Sequence, residues 1–465
     1  MKAFPSQFVL GLSLTTLLVA CGGGGGGGGN SGGSTPLVCE SNQQEVDGAC
    51  RDVLDGGGVD GLLTNANVAL YSLSLEVPFR FSYSGLLAQG VTGDDGRFKR
   101  VALPNVIDKP ILVEVQATSN TIELGSGKSP VVKVMRTVML PDDAPLDLTE
   151  APIKFATPLT TMIVDLAVEK TRLLQTGYET ENEILEIFYH ELELASATVS
   201  TALGFGATEQ GVDLLNTPPT VLSGTSEADK AKTLAHRVAI AAAVNAIGEI
   251  SAKTNSDSVN LMESLVTDML DGAVDGQLDR NKLPPIARAK EDIDTQTIAI
   301  EDIEVFKKPI SELVDIAKVT EELEAEIETF EAADQTLNTA DVQGSTNKAK
   351  PATLTSDRDG DGVPDSIDAF PNEASESADT DGDGIGNGAD PDIDGDGIDD
   401  TLDTDIDGDD IDNFQDADMD GDGILNSLDV DMDGDGTINS ADTTPLPGFG
   451  KLDWGSGFWG QAQWQ

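Results

Sequence analysis

The sequence predicts a multidomain chain: an antiparallel β-sandwich, then an all-α domain, then an acidic repeat rod with little regular secondary structure. Three observations predict it. Residues 53–148 alternate apolar and polar side chains in short runs between turn residues, the mark of half-buried strands. From about Pro152 the apolar period becomes that of helices. Between Asp357 and Asp442 a single twelve-residue pattern recurs six times.

A length of 465 residues suits roughly three domains. Hydrophobic residues make up 39% and aromatic residues 5%, enough for a core in part of the chain only. The net charge of −55 argues against nucleic acid or anionic lipid headgroups as partners, because both would be repelled.

Residues 1–20 read as an export signal, with Lys2 as its positive start and Phe8 to Ala20 as an apolar run too short to span a bilayer. The run ends Leu18-Val19-Ala20-Cys21, which resembles the lipobox of bacterial lipoproteins. That resemblance implies cleavage before Cys21 and a lipid on Cys21 that holds the chain to a membrane. A plain secretory signal would instead leave Cys21 a free thiol. Gly22, where aspartate is the alternative, implies within that family sorting to the outer membrane. Eight glycines, Gly22 to Gly29, make residues 21–36 a flexible tether. In residues 37–52, Cys39 and Cys50 remain, and in an exported chain a disulfide is their simplest assignment. Two free thiols or half of a metal site are the alternatives, but no histidine lies nearby to complete a zinc site.

The strand candidates are Val68–Tyr71, Phe79–Phe81, Arg97–Val101, Ile111–Val115 and Val131–Leu140, with Gly93-Asp-Asp-Gly96 as a turn. Alternation of this kind is that of an antiparallel sandwich. The run Gly61 to Tyr71, followed by Thr92-Gly-Asp-Asp-Gly-Arg-Phe98, resembles the carboxypeptidase regulatory-like (prealbumin-like) domain. The resemblance implies a structural adaptor that brings no catalytic residues.

Helices are expected over 158–175, 181–203, 227–252, 257–271 and 310–333, in a domain spanning 149–340. Pro158 suits the first turn of the first helix. Ala156-Thr-Pro-Leu-Thr-Thr161 resembles a phrase that follows the β-domain in other large bacterial surface lipoproteins, where it carries no assigned activity. Glu321–Glu328 is polar nearly all round, which predicts an edge helix or a stalk. Asp271-Gly-Ala-Val-Asp-Gly276 reads as a turn rather than a lone cation loop, for want of a third acid in register. Residues 341–356, with Gly344, Ser345, Asn347 and Pro351, read as a linker.

The repeated pattern is D-x-D-x-D-G-hydrophobic-x-[D/N]-x-x-D, and its last five frames follow one another at a constant spacing, from Asp379, Asp392, Asp405, Asp418 and Asp431. A hard dication such as Ca²⁺ takes six to eight oxygens, which side chains at positions 1, 3, 5, 9 and 12 and the carbonyl at position 7 can supply. Those positions are Asp357, Asp359, Asp361, Val363, Asp365 and Asp368 in frame 1, and Asp379, Asp381, Asp383, Ile385, Asn387 and Asp390 in frame 2. Frame 3 has Asp392, Asp394, Asp396, Ile398, Asp400 and Asp403, and frame 4 has Asp405, Asp407, Asp409, Ile411, Asn413 and Asp416. Frame 5 has Asp418, Asp420, Asp422, Ile424, Asn426 and Asp429, and frame 6 has Asp431, Asp433, Asp435, Thr437, Asn439 and Asp442. Glycine at position 6 allows the sharp turn under the ion, and frame 4 departs with Asp410 there.

One residue between loops leaves no room for the helices of an EF-hand. The pattern over 357–442 resembles the thrombospondin type 3 repeat, without the cysteines that staple the animal versions or the lectin-like domain that follows there. The resemblance implies a chain with almost no hydrophobic core wound around calcium ions. Acidic disorder is the alternative, since residues 357–442 hold 31 acidic residues against Arg358, a net charge of −30. Random acidity would not keep aspartate at positions 1, 3, 5 and 12 in every frame. Position 7 is the apolar residue counted in each loop, too little to offset chain entropy, so calcium is the expected folding agent of the rod.

Beyond the repeats (357–445), the tail 446–465 holds Trp454, Phe458, Trp459 and Trp464, either a cap on the last repeat or an aromatic docking peptide. Catalytic motifs are poorly represented. Gly125-Ser-Gly-Lys-Ser129 has Ile122 where a phosphate-binding loop needs its first glycine. His190-Glu-Leu-Glu193 has the spacing of a zinc carboxypeptidase pair, but the other histidine, His236, lies far along the chain. The expectation is a non-enzymatic, calcium-binding, lipid-anchored surface protein acting in adhesion or as a scaffold, with a protein or carbohydrate ligand. An enzyme or enzyme accessory in the helical domain, or a periplasmic spacer, is the alternative.

Overall fold

A computed structural model of the chain describes residues 39, 43–46, 49–74, 80–141, 151–175, 180–280, 282–283, 285–290, 293, 295–329, 337, 348–354, 363, 368–373, 376–409, 411, 413, 416, 419–421, 426 and 432–434. An N-terminal region of largely antiparallel sheets is followed by a helical region.

The strands are β1 Gln43–Val46, β2 Ala49–Gly58, β3 Leu63–Thr64, β4 Asn67–Ser74, β5 Arg80–Val91, β6 Arg97–Ala102, β7 Ile111–Gln116, β8 Ile122–Glu123, β9 Val134–Met139 and β10 Ile153–Ala156. One sheet runs β5-β4-β7-β9, a second joins β1, β2 and β10 with β6 also on β2, and β3 pairs with β8. The expected disulfide is present: Cys39 is bonded to Cys50, the second residue of β2, which lies opposite Glu45 of the hairpin partner β1.

One strand departs from the sequence expectation. Ile153–Ala156 lies past the predicted change of period, yet forms a strand, and it pairs parallel to β2 with Phe155 opposite Gly57. Four residues between Pro152 and a helix cap are too few to show an alternation. The signal was in β2 instead, in Gly56-Gly-Gly58. A Cβ on Gly56 would stand 1.8 Å from the Lys154 carbonyl oxygen and 2.6 Å from Phe98, so only a bare backbone admits β10 at this distance.

The helices are α1 Pro158–Leu174, α2 Glu181–Leu203, α3 Glu227–Thr254, α4 Ser258–Asp268, the short α5 Pro285–Arg288, α6 Ile300–Ile303 and α7 Ile310–Leu313, and α8 Ile316–Thr329. The phrase Ala156–Thr161 has a physical explanation. Thr157 caps α1, accepting from Thr160 N (3.0 Å) while Thr160 Oγ1 accepts from Thr157 N (2.8 Å). Thr160 Oγ1 also donates to Arg136 O (2.7 Å), and Arg136 N donates to Thr161 Oγ1 (2.8 Å). The cap therefore fastens the helical region to β9, and Arg136 adds ion pairs to Glu114 and to Asp165 on α1. One apolar core runs on from Leu54 and Val113 in the strands through Leu159 and Phe188 to Ile240 and Phe306.

The segment Glu321–Glu328 is not a stalk. It lies in α8, where Leu323, Glu326 and Ile327 are buried. Arg237 on α3 donates to Glu326 at 2.5 Å with both side chains at most 3% exposed, and Thr220 donates to the other carboxylate oxygen (2.8 Å). A buried partner of opposite charge admits a glutamate that the apolar pattern alone assigns to solvent.

Part of the expected linker is also docked. Lys350 N donates to Phe205 O (3.0 Å), Ala352 N to Phe306 O (3.1 Å) and Leu354 N to Ala202 O (3.5 Å). Ala352 is buried, Lys350 pairs with Glu209, and a Cβ on Gly206 would reach 2.6 Å from Lys348 O.

Candidate metal centre

In frames 2, 3 and 4 the backbone folds around its own aspartates. The position-1 carboxylate accepts from glycine amides ahead of it: Asp379 from Gly382 N (2.8 Å) and Gly384 N (3.2 Å), and Asp392 from Gly397 N (3.3 Å). Position 3 accepts from position 5, as in Asp394 from Asp396 N (3.0 Å), and position 5 from position 7, as in Asp409 from Ile411 N (2.7 Å). These short-range bonds are the habit of aspartate in turns. The outcome is three converging sets, Asp379/Asp381/Asp383, Asp392/Asp394/Asp396 and Asp405/Asp407/Asp409, each with carboxylate oxygens within 4.8 Å of one another.

Position 4 carries information the twelve-residue pattern left blank. Every frame has glycine there, and in frames 2 to 6 it holds φ between 62° and 78°. A Cβ on Gly395 would stand 2.6 Å from Asp381 Oδ2, and one on Gly408 2.7 Å from Asp394 Oδ2. The glycine of one frame thus seats the position-3 aspartate of the frame before.

Position 9 carries a bracing role beside the expected ligand role. Its side-chain oxygen accepts the position-2 amide: Asn387 from Thr380 N (2.9 Å), Asp400 from Ile393 N (3.0 Å), Asn413 from Ile406 N (2.9 Å) and Asn426 from Met419 N (3.0 Å). Position 12 turns the chain into the next frame, Asp390 accepting from Asp392 N and Asp403 from Asp405 N (both 3.0 Å). The position-12 residues Asp403 and Asp416 stand outside the 4.8 Å sets, but their charge reaches Asp394 and Asp407. Burial pushes Asp394 up, with Asp396, Asp403 and Asp392 adding repulsion. Burial followed by the charges of Asp416, Asp409 and Asp405 pushes Asp407 up to about 7. A positive charge beside Asp394 and Asp407 would offset both the burial and the repulsion.

No family model, curated protein or solved structure matches this chain. The site stands on its own chemistry: oxygen donors only, three carboxylates to a set, and a set in each of three successive frames.

The apolar position is misassigned by the sequence. At position 7, Ile385 is 42% and Ile398 44% exposed. The buried residues are at position 2, where Ile393, Ile406, Met419 and Met432 form a cluster of their own, none more than 5% exposed. In frames 3 to 5 both positions carry apolar residues, and local spacing alone does not choose between them.

Much of frame 1 (Val363 and Asp368 apart) lies outside the described residues. So do Asp410, Asp418, Asp422, Ile424, Asp429, Asp431, Asp435, Thr437, Asn439, Asp442, the tail from 446, and the segment around Cys21. Among the described residues, no helix is long and apolar enough to cross a membrane.

The other motifs resolve locally. Gly125–Ser129 is a turn after β8, with Gly127 N bonded to Glu123 O (2.9 Å). His236 is buried, its Nδ1 donates to Thr217 O (2.8 Å), and burial lowers its pKa to about 4. No converging set among the described residues includes His190 or His236.

The turn at Asp271–Gly276 is folded on carboxylates. Asp268 accepts from Gly276 N (2.9 Å) and Asp271 from Asp279 N (2.6 Å). Burial, with Asp275 and Asp271 adding repulsion, raises Asp268 from 3.8 to about 8, against the backbone bond from Gly276. As pH rises the unfolded chain loses this proton near 3.8 while the folded chain keeps it until about 8, so stability falls across that window. Asp268→Asn, a mimic of the protonated acid, is expected to raise the melting temperature at pH 8 by roughly 5 °C and to change nothing near pH 4. Thermal melts of the two chains at both pH values check it.

Proposed function

We propose that this chain is a calcium-binding lipoprotein of the cell surface, held to the outer membrane through Cys21, whose C-terminal repeats are stiffened by calcium into a rod that serves adhesion or surface scaffolding. The observation that carries the reading is the convergence of three aspartates in each of three successive frames. An oxygen-only set fits a hard dication, and loops of this kind, with further oxygens at positions 7, 9 and 12, suit the large and flexible shell of Ca²⁺ better than the tight octahedron of Mg²⁺.

The family resemblances point the same way: repeats of thrombospondin type 3 character, an adaptor-like β region, and the Leu18-Val19-Ala20-Cys21 lipobox. The role is non-enzymatic, and its partner is a surface protein or carbohydrate rather than nucleic acid. Titrating calcium chloride into the full chain is expected to give heat with about six sites, from the six frames, and dissociation constants of roughly 10⁻⁴–10⁻³ M. Joint replacement of Asp392, Asp394 and Asp396 by asparagine is expected to remove one of them. A chain that takes up no calcium overturns the reading, and protease shaving of intact cells tests its exterior location.

A further inference from the structure

The repeats touch one another at two ranges. Adjacent frames meet through glycine 4 on aspartate 3, as Gly395 meets Asp381. Frames three apart also meet. Asn387 Nδ2, in frame 2, donates to Asp420 O in frame 5 at 2.9 Å and in a buried position. A Cβ on Gly434, in frame 6, would stand 3.1 Å from Ile393 Cδ1 in frame 3. In a straight string the two intervening frames would hold such residues apart. A chain that returns to itself every third frame is a coil, with about three frames to the turn.

We infer that the acidic repeats are wound as a coil of three frames per turn around a dry apolar axis made by Ile393, Ile406, Met419 and Met432. Side chains that recur once per frame and are buried together lie on the inside of each arc, which is where position 2 is found. The position-9 oxygen that accepts the position-2 amide holds Ile393, Ile406 and Met419 to the axis, and the Asn387 amide ties one turn to the next. Position 7 then faces outward, in keeping with the exposure of Ile385 and Ile398. Solenoids hold together by this stacking of neighbours on a shared thin core. The winding is a property of the fold itself and goes beyond the calcium reading, so the two fail separately.

Spin labels decide it. In the full chain carrying Cys21→Ser and the native Cys39–Cys50 disulfide, labels are placed on pairs drawn from Ile385→Cys, Ile411→Cys and Ile424→Cys, at position 7 of frames 2, 4 and 5. Distances are measured by pulsed electron resonance in millimolar calcium. The coil requires the 385–424 distance to be shorter than the 385–411 distance, although the first pair is separated by one frame more than the second. A distance that grows steadily with separation overturns the coil, whatever the calcium titration shows. Ile406→Asp is expected to abolish the inversion and Leu402→Asp, at a side chain 75% exposed, to preserve it. An inversion that survives Ile406→Asp overturns the apolar axis.

Discussion

Replacing Arg237 by alanine is expected to cost the helical region about 3–5 kcal/mol, because the change strands the Glu326 carboxylate in the interior. The side chain of Arg237 is 3% exposed and that of Glu326 2%, so water does not take the place of the lost guanidinium. Burial already pushes the Glu326 carboxyl up, and the Arg237 charge is the main effect holding it down. Thr220 supplies one hydrogen bond to the carboxylate, too little to solvate a charge. For a region of this size the loss corresponds to a melting temperature lower by about 10 °C. Joint replacement of Arg237 and Glu326 by leucine is expected to recover most of it, since an apolar pair of similar volume leaves no charge behind. Thermal melts of the single and double variants decide the matter, and a single variant as stable as the parent would show the pair to be solvated.

Removing divalent cations is expected to expand the repeats. The segment carries −30, and six dications bring it to −18. At a calcium concentration tenfold above the dissociation constant each site contributes about 1.4 kcal/mol, roughly 8 kcal/mol for six. Among the described residues the apolar axis holds four buried side chains, a small core for a segment so charged. Small-angle scattering of the full chain in millimolar calcium and in EDTA is expected to show a larger radius with EDTA, while circular dichroism of the helices stays unchanged. Equal radii would leave the cations without a structural role.

The order of strands, then helices, then repeats was legible because each carries its own period over many residues. The boundaries of α2 (Glu181–Leu203) coincide with the expected 181–203, where the Thr180 cap and the glycine after Leu203 mark both ends. What escaped was what depends on a partner distant in sequence. β10 is a short strand licensed by glycines far earlier in the chain. Glu326 is buried because Arg237 is there. The aspartates of the acidic loops were readable as a pattern. The choice of position 2 over position 7 for the interior instead rests on contacts between adjacent frames and between frames three apart, which local spacing does not contain.

The docked segment 348–354 has a mechanical meaning. Three backbone bonds hold it along its length, Lys350–Phe205, Ala352–Phe306 and Leu354–Ala202, so a pull applied beyond residue 354 reaches the Leu354 bond first. Traction on the far end is then absorbed first by this seam, which shields the buried Arg237–Glu326 pair and the body behind it.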